Sequence, residues 1–376
     1  MSTVQPRVLM VLDALLVGGT ETHVLTLTRS LLARGVYVSI CAGHGALESE
    51  FEKLGCNIHY VPFFGAWSRR ERASIRRTLT SIILEERITH IHVHQLHSGQ
   101  MALTCARNQK LAVIATVHGK YYDLKTMRSM QEKGVQMIAV SPPVRKWMKA
   151  QGVDASVIPN GISLQHFRPK KYGLSIIRKK LNIPQAAQVV VYAGRLAGEK
   201  ADVCRRVIDA CSQLQANGHS NLLLIIVGGG IHADAVKAYA RQVEKRTGRS
   251  YVRFLGTHKA MRPLYAVSNC VVGTGRVALE AMSCARPVVA IGSAGLYGRI
   301  RPQKLHSAWH YYFGDHAAPY PHNSHKLSQQ IQRILASEHR QARYGDAGRA
   351  FVAEKFDSNK IVHRILQIYR HARPIH

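Results

Sequence analysis

Residues 269–290, NCVVGTGRVALEAMSCARPVVA, decide how this chain is read. They describe a strand, a glycine-rich turn, and a helix that opens with Arg276 and carries Glu280. Gly273 and Gly275 let a backbone approach a ligand closely, and the following helix N-terminus presents free N–H groups. Gly273, Thr274, Gly275 and Arg276 therefore form a candidate phosphate cradle. Glu280 lies one helical turn further, where a carboxylate accepts hydrogen bonds from sugar hydroxyls. Upstream, GRLAGEK (194–200) sets Arg195 and Lys200 just after another strand, two cations suited to a diphosphate. Each feature also has a plain reading: a tight turn, a dipole-stabilised helix glutamate, two surface cations among 52. Glycines, helix dipole, cations and hydroxyl acceptor together point to a nucleotide-sugar site.

Working outward, further strings fall in a consistent order: VGGTETHVLTLTRSLLARG (17–35), ATVHG (115–119), VIPNGI (157–162), GRLAGEK, IIVGGG (225–230) and ALEAMSCARPVVA (278–290). With these the chain resembles the family 4 glycosyltransferases over nearly its whole length. The resemblance implies a GT-B type α/β fold, two Rossmann-like doubly wound domains facing across a cleft. It implies sugar transfer from a nucleotide-sugar donor with retention, the leaving phosphate helping to deprotonate the acceptor. It also gives Glu280 the donor ribose. One position departs: the family places a glutamate eight residues before Glu280, and here that residue is Val272. Losing such a charged hydrogen-bonding group costs roughly 1.5–3 kcal/mol, about ten- to a hundredfold in rate. The expectation is that Arg276 or Thr274 holds the sugar instead. A Val272→Glu variant of sharply higher activity would mark the site as merely weakened. The alternative is a non-catalytic relative that binds nucleotide sugars or glycans.

With 376 residues the chain exceeds one core and should form two domains. Apolar residues at 46% and charged residues at 20% are ordinary for a globular protein and argue against disorder. Seven scattered cysteines lack CxxC or Cys/His spacing, which fits reduced core thiols in a cytoplasmic protein. The N-terminal VLMVLDALLVGG is interrupted by Asp13 and reads as a strand and its loop rather than a signal peptide. No apolar run approaches the roughly 20 residues that span a bilayer.

Short apolar runs alternate with amphipathic ones, as in parallel α/β architecture. Strands are expected at 7–12, 37–42, 58–61, 90–94, 112–117, 137–140 and 155–158, and again at 188–193, 222–227, 252–255, 270–272 and 287–291. The first helix has Thr20 as N-cap, a face of Val24, Leu25, Leu27, Leu31 and Leu32, and Gly35 as its stop. Polar, basic residues 168–184 suit a linker. The domains are thus an N-terminal acceptor-binding domain, 1–170, and a nucleotide-sugar-binding domain, 171–356. The stripe of Ile361, Ile365, Leu366 and Ile368 forms a helix in 357–376, which the resemblance packs back on the first domain.

Arg195 and Lys200 are the leading catalytic candidates, since fixed cations stabilise charge developing on a leaving diphosphate. His118, at a strand end, joins them, because the family's corresponding histidine approaches the donor sugar. Gly18, Gly19 and Glu21 form an acceptor or phosphate loop at the first strand-to-helix crossing, and Gly228 and Gly230 follow an apolar strand on the nucleotide side. Neither a DxD pair nor a metal-ligand cluster occurs, so no metal and no cofactor is expected.

The balance of 52 Lys and Arg against 22 Asp and Glu gives +30. Such a field attracts any polyanion. In residues 68–86, Arg69, Arg72 and Arg76 form a helical stripe with Arg70 and Arg77 beside it, opposite Ile75, Leu79, Ile82 and Ile83. Charge runs are commonly a solvated face; the sharper reading is docking on the inner face of the cell membrane, at about 1 kcal/mol per basic residue. A basic protein binding nucleic acid or membrane on this scaffold is a third reading. No nucleic-acid module or basic–aromatic interleaving occurs, so no specific nucleic acid is expected. Expected partners are a nucleotide-sugar donor and a glycan or lipid-linked acceptor, in cell-envelope or exopolysaccharide synthesis.

Overall fold

A computed structural model describes residues 5–63, 68–170 and 173–376. The chain forms two compact units, Met1–Gly161 with Ser358–His376, and Ile162–Asp357. In the first unit β1 (Arg7–Ala14), β2 (Tyr37–Gly43), β3 (Ile58–Tyr60), β4 (His90–Val93), β5 (Ala112–Val117), β6 (Gln136–Ala139) and β7 (Ser156–Val157) make one parallel sheet. Its order is β3-β2-β1-β4-β5-β6-β7. Both faces are covered, so the strands read as continuous apolar runs. Alternate residues of β1 feed opposite cores: Leu9 and Val11 on one side, Val8, Met10 and Leu12 on the other.

The helix Ser358–His371 belongs to this first unit and buries Ile361, Val362, Ile365 and Tyr369 against the β1 side, with Leu366 and Ile368 half-buried. The helix Gly19–Leu32 begins earlier than its sequence suggests. Gly18, in extended backbone, is its N-cap, its carbonyl accepting from Thr22 N–H at 3.1 Å and Thr22 O–H at 2.7 Å, so Thr20 lies inside the helix. The helix Arg69–Glu85 starts with a capping box: Ser68 Oγ accepts from Glu71 N–H, and the Glu71 carboxylate accepts from Ser68 N–H at 2.7 Å.

The second unit holds β8 (Gln188–Ala193), β9 (Leu222–Val227), β10 (Val252–Gly256), β11 (Cys270–Gly273), β12 (Val288–Gly292) and β13 (Gly295–Arg299). The order is β10-β9-β8-β11-β12-β13, parallel except for β13, which runs antiparallel to β12. Ile162 N–H donates to Phe356 O at 2.7 Å, and Ser283 O–H donates to Phe167 O at 2.6 Å. Residues 162–170 therefore pack with the second unit, and much of the polar stretch after them forms the helix Leu174–Lys180. All seven cysteines are buried and unbridged; burial pushes the Cys270 and Cys284 thiols up to about 12.

In both sheets the strand order reverses beside the first strand, between β1 and β4 and between β8 and β11. Loops leaving such a reversal open a crevice at the carboxyl ends of the strands, where ligands bind in this kind of sheet.

Candidate functional site

The turn of residues 269–290 lies at the reversal in the second sheet. β11 ends at Gly273, Thr274 caps in extended backbone, and the helix Gly275–Ser283 starts with Gly275 at φ +51°. A Cβ on Gly273 would lie 2.6 Å from Val277 Cγ1, and one on Gly275 3.2 Å from Tyr312 Cε1. Close packing thus favours glycine at Gly273, and at Gly275 the left-handed backbone does. Beside it, the loop after β8 carries Arg195, exposed, and Lys200, half-buried at the start of the helix Glu199–Ala216.

Gly228 and Gly230 support that loop. A Cβ on Gly228 would lie 1.9 Å from Gly194 O, and one on Gly230 2.5 Å from Leu196 O. Leu196 N–H donates to Gly229 O at 2.8 Å. Their contribution in this structure is to let two backbone segments meet, which sets where Arg195 emerges.

Glu280 is buried and engaged at both oxygens: Tyr265 O–H donates to Oε2 at 3.0 Å, and Arg276 Nε donates to Oε1 at 2.7 Å. Burial pushes the Glu280 carboxyl above its ordinary range, while Arg276 and the Tyr265 hydroxyl pull it back. The side chains of Arg276 and Glu280 are 10% and 9% exposed, so the guanidinium extends along its own helix rather than out into solvent. Thr274 O–H donates to Phe313 O at 2.8 Å. Both residues expected to replace the missing glutamate therefore already bond within the protein. Val272 is fully buried in the second unit's core, in register with Tyr192 on β8 and Val289 on β12.

Asp315 has no counterpart in the sequence reading. Its carboxylate pairs with Lys200 Nζ at 3.5 Å, and its other oxygen would lie 3.6 Å from a Cβ on Gly275. A carboxylate thus fronts the helix N-terminus, where the dipole favours an anion. Tyr312, Phe313 and Gly314, just before it, all have positive φ (47°, 56° and 87°), backbone that is costly for two bulky residues. With 41% and 17% exposure the Lys200–Asp315 pair is weak, about 0–1 kcal/mol. A diphosphate could displace it at small cost.

In the first unit Gly18 and Gly19 lie at the start of a helix, and among the described residues, its chain neighbours and own helix backbone aside, no atom lies within 4 Å of a Cβ placed on Gly19. Glu21 is buried, its Oε1 accepting from Gln95 Nε2 at 3.4 Å. Gln95 Oε1 accepts from Asp13 N–H at 2.6 Å, and Asp13 accepts from Ser98 N–H at 2.9 Å, stabilising the start of the helix Leu96–Asn108. His118 directly follows β5 and is buried beside His23, His92 and His94. Arg69, Arg70, Arg72, Arg76 and Arg77 are all exposed, opposite buried Ile75, Leu79, Ile82 and Ile83. Among the described residues no group of three His, Cys, Asp or Glu side chains is arranged to hold a metal ion, and no helix is long and apolar enough to cross a membrane.

The family model Glycosyltransferase Family 4 matches residues 17–166, and Glycosyl transferases group 1 matches residues 175–351. The chain belongs to glycosyltransferase family 4. A phosphatidyl-myo-inositol mannosyltransferase of Mycobacterium tuberculosis is 25% identical over 94% of this chain and 93% of its own length. The fold matches Anabaena HepE, solved with UDP and glucose, at a TM-score of 0.79 and 18% identity over 98% and 100% of the two chains. A Rickettsia africae glycosyltransferase gives 0.78 at 19% identity over 98% of both. This family 4 member is a glycosyltransferase with the GT-B type fold.

Within that frame the sequence reading missed Tyr265, Asp315 and, near His118, His92 and His94. Tyr265 and Asp315 sit in stretches with no local signal. The histidines did leave one: His90, His92 and His94 alternate, and a period of two places them on one face of a strand.

Proposed function

We propose that this chain moves a sugar, with retention and without a metal ion, from a nucleotide-sugar donor to a glycan or lipid-linked acceptor in envelope or exopolysaccharide synthesis. The observation that carries the reading is the convergence, at one sheet reversal, of Lys200, the Gly275 helix N-terminus and buried Glu280. Lys200 and Arg195 neutralise the departing diphosphate, the helix N-terminus binds its oxygens, and Glu280 takes the ribose. His118 contacts the transferred sugar. The mannosyltransferase relative, whose name specifies a phosphatidyl-inositol, supports a lipid-linked acceptor.

The test is a panel of UDP-, GDP- and ADP-sugars scored by nucleotide release. One donor should be cleaved, equally well in EDTA, and Lys200→Ala should lower turnover about a hundredfold. Asp315→Asn, which frees Lys200 and removes a competing anion, should lower the donor KM. A protein neither stabilised nor turned over by any donor would sink the reading.

A lipid-linked acceptor also gives the exposed arginines of the helix Arg69–Glu85 a use, holding the protein peripherally on an anionic cytoplasmic leaflet. Reversing Arg69, Arg72 and Arg76 to glutamate should abolish co-sedimentation with phosphatidylglycerol vesicles at physiological salt. Unchanged sedimentation would dispose of the patch.

A further inference from the structure

The loop that carries Asp315 holds its backbone firmly and its carboxylate lightly. Phe313 O accepts from Thr274 O–H at 2.8 Å, Asp315 N–H donates to Tyr312 O at 3.2 Å, and the Tyr312 ring stacks on His316 at 4.2 Å. The loop passes the end of β12 so closely that a Cβ on Gly292 would lie 2.5 Å from Gly314 O and 2.8 Å from Asp315 Cα. Tyr312, Phe313 and Gly314, all at positive φ, thus belong to a segment fixed by its surroundings, and such strained backbone clusters beside ligands. The carboxylate is held less tightly. One oxygen pairs with Lys200 Nζ at 3.5 Å, and the other lies 3.6 Å from a Cβ placed on Gly275.

A diphosphate that takes Lys200 and the Gly275 helix N-terminus displaces this carboxylate, since like charges do not share the place. With its backbone tied, the side chain moves by rotating about its own torsions and stays beside the site. What then adjoins the phosphates is the sugar they carry, whose hydroxyls are uncharged donors. A carboxylate only accepts, and its two oxygens can take two hydroxyls at once. Glu280 is less suited, being engaged at both oxygens, and Val272 is apolar and buried. During transfer the bond from the anomeric carbon to the phosphate oxygen breaks and its electron pair leaves with the diphosphate. Positive charge builds on the sugar. The acceptor oxygen forms the new bond, and its proton goes to the departing phosphate. A carboxylate at the sugar contributes most at that moment, when the charge is greatest.

We propose that Asp315 is a catalytic and specificity-determining residue. On the nucleotide-sugar reading, on which this rests, the donor's diphosphate releases it from Lys200, and its carboxylate then accepts hydrogen bonds from hydroxyls of the transferred sugar. Without donor the same carboxylate occupies the cation and the helix end. Removing its charge therefore eases donor binding and weakens the transfer.

Asp315→Asn keeps the shape and removes the charge. It should melt with wild type, because the pair it loses is weak. With the donor that the panel selects, kcat should fall about ten- to a hundredfold although KM falls too. Preference for that donor over an epimer on the same nucleotide, as between UDP-glucose and UDP-galactose, should drop about tenfold, since the wild-type carboxylate rejects a sugar that leaves it unanswered. Wild-type kcat and preference in a variant of lower KM would make Asp315 a competing anion alone and refute the proposal. A variant that melts well below wild type would assign Asp315 to the fold of the loop and refute it as well. Calorimetry with free UDP, GDP and ADP separates these results from failure of the underlying reading. If none of the three binds wild type, the diphosphate site and the proposal fall together. If one binds and Asp315→Asn turns over like wild type, only the role of Asp315 falls.

Discussion

Glu280→Ala is expected to unfold at a temperature on the order of 10 °C below wild type, whether or not a donor is present. The cause is Arg276. Its guanidinium is nearly as buried as the carboxylate it pairs with, and the alanine removes that carboxylate from beside it and takes away the acceptor of the Tyr265 hydroxyl. Removing one partner of a buried pair costs about 3–5 kcal/mol, far more than the pair contributes as a net gain. Lost turnover in this variant would therefore not by itself assign Glu280 to the ribose, so Lys200→Ala is the cleaner probe of the donor site. The converse substitution, Arg276→Leu, has a sign that pH reveals. Burial already raises the Glu280 carboxyl, and Arg276 is the largest influence pulling it back. Without Arg276 the folded protein holds that proton to higher pH than the unfolded chain does. Stability is then present below the ordinary carboxylate range and lost as pH rises through the folded value. Urea unfolding should show Arg276→Leu losing more stability than wild type between pH 5 and pH 8. Parallel pH profiles for the two proteins would mean that the pair does not hold the carboxylate charged.

What the sequence discloses follows from where the determinants lie. Strands β5, β8 and β9 coincide with their apolar runs, 112–117, 188–193 and 222–227, because a parallel strand covered on both faces has no polar position to blur its ends. β13 left no such trace: its five residues, GLYGR, include two glycines at positive φ, and antiparallel pairing with β12 holds it rather than propensity. The glycine turn before Glu280 was legible because local chemistry imposes it. Asp315 was not, because a distant loop brings it to Lys200 and nothing within that loop announces the meeting. Arg276 shows the limit from the other side. Its type and place suited a phosphate ligand, and only the geometry shows its Nε committed to Glu280 one turn along the helix.

The same distinction between position in a motif and position in space reverses the expectation for Val272→Glu. By spacing it would restore the family's missing carboxylate; by structure it places one in the second unit's core. Val272 has no exposed surface, is flanked in the sheet by Tyr192 and Val289, and packs in a cluster with Val190, Cys270 and Ile291. Its packing partners are apolar, and Arg276 and Arg286, on the helix and the loop that follow, donate to Glu280 and to Ser268 O. A carboxylate there must stay protonated or force β11 aside, and burying a polar group without partners costs several kcal/mol even when it is neutral. That is a large share of the roughly 5–15 kcal/mol by which domains are stable. The expected result is aggregation or a steep fall in melting temperature with no gain in turnover, whereas Val272→Ile stays within about 1–3 kcal/mol of wild type. Soluble Val272→Glu protein with wild-type stability would show that the strand end opens toward ligand, and a rise in its turnover would return the sugar contact to this position. If the variant fails to fold while Val272→Ile folds, position 272 is a core position in this chain, and whatever holds the sugar comes from another element.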